Sequence, residues 1–167
     1  MRIAAQPAEQ DYDAKLALPF AVIGIRSPAS HVTRITYLPA DEAELPPRNA
    51  LAQRAVHELQ RYADDPEFRF TLPLACGGSA FRRRVWDAIG TIPLRESRTY
   101  GEIARAVHSA PRAVGQACGA NPVALVIPCH RVVGSRGVLG GFMNASDGEA
   151  LAIKRWLLVH EGYRFGA

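Results

Sequence analysis

Along the first half of the chain, apolar residues gather in short runs with polar breaks between them. Residues 20–25 and 32–38 are apolar and rich in β-branched side chains, and Ser27-Pro28-Ala29-Ser30 lies between them. This predicts two strands pairing antiparallel. Residues 1–19 mix charge, alanine and proline with weak periodicity, which predicts an irregular or partly disordered lead-in. Acidic, proline-rich residues 39–48 read as a surface connection. Ala52, Val56, Leu59 and Ala63 recur on one helical face, behind an asparagine, Asn49, able to cap the helix with its side-chain oxygen. Residues 68–74 predict a further strand.

After Gly77-Gly78 the period changes to that of short helices. Ser79 is placed to cap a helix over residues 80–90, with Phe81, Val85, Trp86 and Ile89 on its apolar face and Trp86 as a core anchor. Thr99-Tyr100-Gly101-Glu102 has capping-box spacing, which predicts a helix over 100–107. His108-Ser109-Ala110 breaks the pattern, and Pro111 suits the first position of a second helix ending near Cys118, with Gly119 beyond it. Two short helices and a tight connection predict a helix-turn-helix. Asn121 is placed to bond across the break at 119–122, and residues 125–127 lead into Pro128-Cys129-His130-Arg131. Residues 134–137 read as a flexible loop, the glycine-rich 139–143 as the wall of a small pocket or a buried turn, and 144–148 as a polar protrusion. A final helix is expected over 149–160, with Glu161 at its end before Gly162.

Composition narrows the class. With 167 residues, 48% hydrophobic and 22% charged, the chain is long enough for one substantial core or two lobes sharing one. Cys76, Cys118 and Cys129 are odd in number and widely spaced, which argues against a disulfide framework and for a reducing compartment. They also form no convincing zinc motif with the histidines. The apolar runs are too short to cross a bilayer, and no secretory leader pattern is present, so a cytosolic (cytoplasmic) or nucleoid-associated protein is expected. Lys and Arg number 8 against 10 Asp and Glu in residues 1–78, but 12 against 6 in residues 79–167. An anionic partner would therefore meet the second part, although a solvated basic surface accounts for the same count.

Candidate chemistry centres on Cys129-His130-Arg131. Pro128 restricts the backbone leading to Cys129, and neighbouring cationic or basic groups ease the loss of a thiol proton. From these residues alone a structural cysteine beside an incidental histidine remains the alternative. Arg112, among small neighbours, and the Arg82-Arg83-Arg84 run read equally as phosphate contacts or solvated surface.

The motifs Thr99-Tyr100-Gly101-Glu102, Arg112-Ala113-Val114-Gly115, Asn121-Pro122, Pro128-Cys129-His130-Arg131-Val132, Trp156-Leu157-Leu158 and His160-Glu161-Gly162 follow one another in a specific order and spacing. The chain thereby resembles the methylated-DNA:protein-cysteine methyltransferases, the O6-alkylguanine-DNA alkyltransferase family, closely over residues 79–163 and weakly before them. The resemblance implies an α+β fold, with an N-terminal ribonuclease-H-like sheet domain at 1–78. A mostly helical DNA-binding and alkyl-acceptor domain with a winged helix-turn-helix would follow at 79–167.

It also implies a role for each matching residue. Cys129 would take the alkyl group irreversibly, His130 would activate it through water, and Glu161 would orient the imidazole. Asn121 would secure the path to Cys129. Arg112 would fill the gap left by a flipped nucleotide, Tyr100 would act on the rotated target phosphate and base edge, and Ala113, Gly115 and Arg131 would join the nucleic-acid contacts. Tyr100, Cys129, Val132, Phe142 and Met143 would form the base pocket, since a guanine O6 substituent is reachable only after extrusion. The implied substrate is double-stranded DNA carrying O6-alkylguanine, with single-stranded alkylated DNA and O4-alkylthymine as further candidates. No cofactor, metal or membrane is implied, and a monomer is expected.

Departures from the family pattern fall in the pocket loop. Where many relatives have Gly-Tyr, a small residue and two glycines, this chain reads Gly141-Phe142-Met143-Asn144 and has a longer connection to the last helix. Two other readings compete: nonreactive recognition of alkylated DNA, and a Cys-His-Glu hydrolase.

Overall fold

The computed structural model describes residues 11–143 and 148–165; the expected lead-in at 1–10 and protrusion at 144–147 lie outside the described residues. Three antiparallel strands in the order β1-β2-β3 come first: β1 (Ala14–Leu18), β2 (Ala21–Arg26) and β3 (Arg34–Leu38). The two expected strands are thus present, but β1 overturns the irregular reading of residues 11–19. Ala-Lys-Leu-Ala-Leu has little strand character of its own. Its register places Leu16 opposite Ile23 and Ala14 opposite Ile25, so pairing with an apolar neighbour makes it a strand. Central β2 is covered on both faces, and a Cβ at Gly24 would come within 2.6 Å of the Tyr12 ring, a contact only glycine avoids.

Helix α1 (Ala50–Asp64) lies against β1 and β2 and is capped by Asn49, whose side chain accepts from the Ala52 amide at 2.8 Å. Its buried line is Ala52, Ala55, Leu59 and Tyr62, with Val56 and Ala63 at the margin of the expected face. Residues 68–74 are not a strand. Pro73 interrupts the run, and the Thr71 amide is taken at 2.9 Å by the buried Glu58 carboxylate. The segment keeps one bridge, Val32 to Leu74, while Phe68 and Phe70 pack on the core.

The second half is helical. Helix α2 (Ala80–Gly90) begins at the expected Ser79 cap, and α3 (Tyr100–Ala106) begins at a complete capping box between Thr99 and Glu102. Positive φ at His108 turns the chain out of α3, and α4 (Pro111–Gly119) starts with proline in its first turn. These helices share a core of Val85, Ile89, Ile103, Val107 and Val114, to which Cys129 and Val132 belong. Trp86 anchors α2 on α4, its indole N–H donating to the Ala117 carbonyl at 2.8 Å. Two-residue strands β4 (Arg98–Thr99) and β5 (Val132–Val133) pair in parallel, tying the start of α3 to the segment after Cys129.

The final helix, α5 (Glu149–His160), returns to the sheet side. The first core takes in Ile153 and Leu157 from it, and Val123, Ala124 and Leu125 from the chain before Cys129. No helix among the described residues is long and apolar enough to cross a membrane.

Candidate active site

Two tight backbone turns aim the segment at Cys129. The Val126 amide bonds the Ala124 carbonyl at 2.9 Å around Leu125, whose φ of +71° is strained for a branched side chain. The Cys129 amide bonds the Ile127 carbonyl at 2.8 Å around Pro128. Proline thus sets the φ of the second turn, as its fixed ring favours. A 3-10 turn over Cys129–Arg131 follows. Asn121 braces the approach: its Nδ2 donates to the Ile127 carbonyl at 2.9 Å and to Cys129 Sγ at 3.3 Å, while its Oδ1 accepts from the Val123 amide at 3.0 Å.

Behind the thiol lies a buried carboxylate network. Glu161 is 1% exposed and accepts through Oε1 from Tyr62 Oη at 2.9 Å, His130 Nε2 at 2.7 Å and Arg131 Nη2 at 3.1 Å, and through Oε2 from Arg131 Nε at 2.9 Å. Burial works against its charge, but the bonds and charges of His130 and Arg131 outweigh it and hold the carboxyl at about 2. His130, equally buried, has its Nδ1 without a hydrogen-bond partner. That atom is available to a water molecule, as a buried polar group demands.

Arg131 was expected among the nucleic-acid contacts. Its guanidinium instead forks onto Glu161 and donates through Nη1 to the Ile92 carbonyl at 2.8 Å, so the cation is satisfied inside the protein. Tyr62, from α1, is a member of this network that sequence reasoning missed. Nothing in the helical pattern distinguishes it from an ordinary core tyrosine.

In front of Cys129 is a cavity of about 200 Å³, lined by Cys118, Asn121, Cys129, His130, Phe142 and Met143. Tyr37 adds its ring beside Phe142, with centroids 5.6 Å apart. The cavity is thus bordered by β3, the end of α4, the turn at Cys129 and the glycine-rich wall at 139–143. That wall passes close to α3 because Gly140, at φ +75°, would set a Cβ 3.0 Å from the Tyr100 ring and 2.9 Å from the Gly134 amide.

The Gly141 carbonyl accepts from Tyr100 Oη at 2.9 Å and from Lys154 Nζ at 2.8 Å. Lys154 is fully buried, with its ammonium 5.6 Å from the Tyr100 ring centroid and 5.9 Å from that of Phe142. Burial disfavours its charge and lowers it to about 8, against the pull of Cys118 and Cys129. The sequence held a signal for Lys154: it stands at helical spacing between Ile153 and Leu157-Leu158, on the apolar side of α5. Burial also keeps the Tyr100 phenol protonated to well above its ordinary value.

The remaining expected site residues divide between surface and core. Arg112, in the first turn of α4, is exposed and makes no hydrogen bond or ion pair among the described residues. Ala113 is half-buried, and Gly115 faces α3, where a Cβ would lie 4.0 Å from the Tyr100 ring. Val132 is fully buried in the second core, leaving its backbone as what it can offer a base. Arg82 and Arg83 point to solvent, and Arg84 leans over Phe81.

Comparison with known proteins agrees with this arrangement. Residues 80–163 match the family described as 6-O-methylguanine DNA methyltransferase, DNA binding domain. A methylated-DNA–protein-cysteine methyltransferase of Shigella flexneri is 44% identical over 95 residues, which cover 56% of this chain and 53% of that protein. The protein of the same name from Methanosarcina acetivorans is 41% identical over 112 residues, covering 66% and 69% respectively. The match therefore spans about half to two thirds of the length of these relatives. A Mycobacterium tuberculosis OGT crystallised in complex with DNA superposes with a TM-score of 0.74 at 33% identity, over 88% of this chain and 90% of that one. With the N-terminal sheet, the helix-turn-helix and the cysteine segment all in matching order, this chain belongs to the methylated-DNA–protein-cysteine methyltransferase family.

Proposed function

We infer that the protein repairs alkylated DNA directly, moving an alkyl group from O6-alkylguanine to Cys129 in a single, irreversible turnover. The observation that carries this reading is the buried His130–Glu161 pair behind a cavity-lining thiol, with His130 Nδ1 unpartnered. A water bonded to Nδ1 would relay the thiol proton to the imidazole, and the ionised Glu161 would stabilise the imidazolium that results. Cys129 Sγ then attacks the alkyl carbon. The C–O6 bond breaks, its electron pair leaves with guanine, and a proton on the departing base completes the exchange. Tyr100, whose protonated phenol donates to the Gly141 carbonyl in the structure, would support that charge by turning its hydroxyl to the departing base.

In this reading residues 79–167 bind DNA and accept the alkyl group, and residues 1–78 are the structural part. Double-stranded DNA is the partner, met by the basic helices, with exposed Arg112 free to enter the space left by an extruded nucleotide. Phe142 and Met143, where relatives carry tyrosine and a small residue, would set how large an alkyl group enters.

The test is intact-protein and peptide mass after mixing with duplex DNA containing one O6-methylguanine, with unmodified DNA as control. One added methyl group on Cys129, absent in Cys129→Ala, is the expected result. Damage-dependent binding without a mass change would overturn transfer in favour of recognition alone.

A further inference from the structure

Cys118 is a nucleophile that the transfer reaction does not use. It sits in the last turn of α4, half-buried, and lines the same cavity as Cys129, close enough that each thiol shifts the titration of the other. The third cysteine, Cys76, packs on the other core. Two thiols at one cavity are a different chemical object from one reactive thiol. Their proximity offers each sulfur an oxidised partner to react with, which a lone cysteine lacks.

We propose that Cys118 and Cys129 are a redox pair: exposure to a hydroperoxide closes a reversible disulfide between them, masking the alkyl-acceptor sulfur and shielding it from further oxidation. Its consequence for repair rests on the acceptor role of Cys129; the disulfide itself does not. Cys118 is the more accessible sulfur, and Cys129 is buried behind it. The neighbouring Cys129 thiol pulls that of Cys118 down, while Cys118 and burial push Cys129 up, so Cys118 is the first of the pair to lose its proton.

The Cys118 thiolate attacks the terminal peroxide oxygen. The O–O bond breaks and the alcohol, or water from hydrogen peroxide, departs with a proton, leaving Cys118 as sulfenic acid. Cys129 sulfur then attacks Cys118 sulfur, the S–O bond breaks, and the hydroxyl leaves as water with the Cys129 proton. Two thiols lose two electrons in total, and the peroxide gains them. Asn121 lies between the pair in sequence and already bonds Cys129 Sγ, so oxidation would close a short loop around an existing brace.

The test uses the full protein without DNA. After graded hydrogen peroxide, free thiols are blocked with iodoacetamide and the protein is cut with trypsin, which places both residues on the single peptide 113–131. The expected product is that peptide about 2 Da lighter and refractory to blocking until dithiothreitol is added. Titratable thiols should fall from three to one. In Cys118→Ser the same treatment should carry Cys129 to sulfinic acid, about 32 Da heavier and not restored by dithiothreitol. The recoverable Cys129 thiol, normalised to each protein's untreated value, should then be at least about tenfold higher in the wild type.

Oxygen adducts on Cys129 alone, a disulfide through Cys76, or equal recovery in the variant would overturn the pair. Alkyl transfer is measured separately on the reduced protein. A disulfide that forms in a protein incapable of transfer would thus count against the repair function and not against the redox chemistry.

Discussion

Glu161→Gln removes the charge of the buried carboxylate while keeping nearly its shape. In the wild type the carboxylate accepts from two arginine nitrogens, a phenol and an imidazole, all donors. An amide has one oxygen, so its NH2 must face either Arg131 Nε, leaving one donor without an acceptor, or the side now bonded by Tyr62, His130 and Arg131 Nη2, leaving three. Burial opposes the Glu161 charge, yet its partners bring it from 4.5 to about 2. At ~1.4 kcal/mol per pH unit that fall corresponds to ~3 kcal/mol, near the lower end of the 3–5 kcal/mol expected on breaking a buried pair.

For a chain of this size ~3 kcal/mol lowers Tm by about 6–12 °C. Because the carboxyl is held lower in the fold than in the unfolded chain, its contribution is complete above pH 4.5 and fades as the pH falls through about 2. The stability gap between wild type and variant, read by urea unfolding, should therefore close over that window. The chemistry should suffer independently: with its oxygen on His130 Nε2 the neutral amide no longer stabilises an imidazolium by charge, and with its NH2 there it puts the ring proton on Nδ1, which can then no longer take a proton from a water. Loss of a positioned base costs about 10²–10⁴ in rate, measured as single-turnover alkyl transfer from an O6-methylguanine oligonucleotide. A variant that unfolds within ~1 kcal/mol of wild type and transfers at the wild-type rate would refute the network as both brace and proton partner.

Lys154→Met keeps length and burial but removes the ammonium from the Gly141 carbonyl. The wild type, whose lysine is held at about 8 against 10.5 when unfolded, should gain stability as the pH rises across that interval, and the variant should show no such rise in denaturant titrations. Trp86→Phe deletes the bond to the Ala117 carbonyl and should cost about 1–2 kcal/mol by chemical unfolding; no loss would mean that water replaces the indole. Arg112→Ala should slow repair of duplex DNA by at least about tenfold while leaving reaction with the free modified base nearly unchanged, since extrusion is required only in the duplex. Equal losses on both substrates would place the arginine's role inside the pocket.

What could be read in advance was local. The caps at Asn49, Ser79 and Thr99 and the proline opening α4 are decided by residues within one helical turn, and all are present in the fold. Elements whose character depends on a distant partner were misread. β1 is a strand because of β2, and residues 68–74 fail to be one because Glu58 takes the Thr71 amide and Pro73 has none to give. The same division holds in the site. Cys129 and Asn121 stand within ten residues of each other, and a short-range motif announces them. Tyr62 reaches Glu161 across 99 positions, and Arg131 turns inward because a carboxylate waits there, facts that no local pattern carries. Lys154 had a periodicity signal, but a lone lysine on an apolar face means little until the carbonyl it caps is known.

The Tyr62–Glu161 bond has a consequence for modularity. The hydrogen-bond network behind Cys129 is fastened to a helix of the sheet region, and the chain just before that cysteine is buried in the sheet's own core. The two halves are therefore not interchangeable parts. Transplanting residues 79–167 onto the N-terminal half of a relative would succeed only where the donor supplies a hydroxyl at the position of Tyr62 and a matching apolar bed for Val123, Ala124 and Leu125. Chimeras that ignore that seam should fold poorly or carry a slackened His130, even with every residue of the 128–132 motif intact.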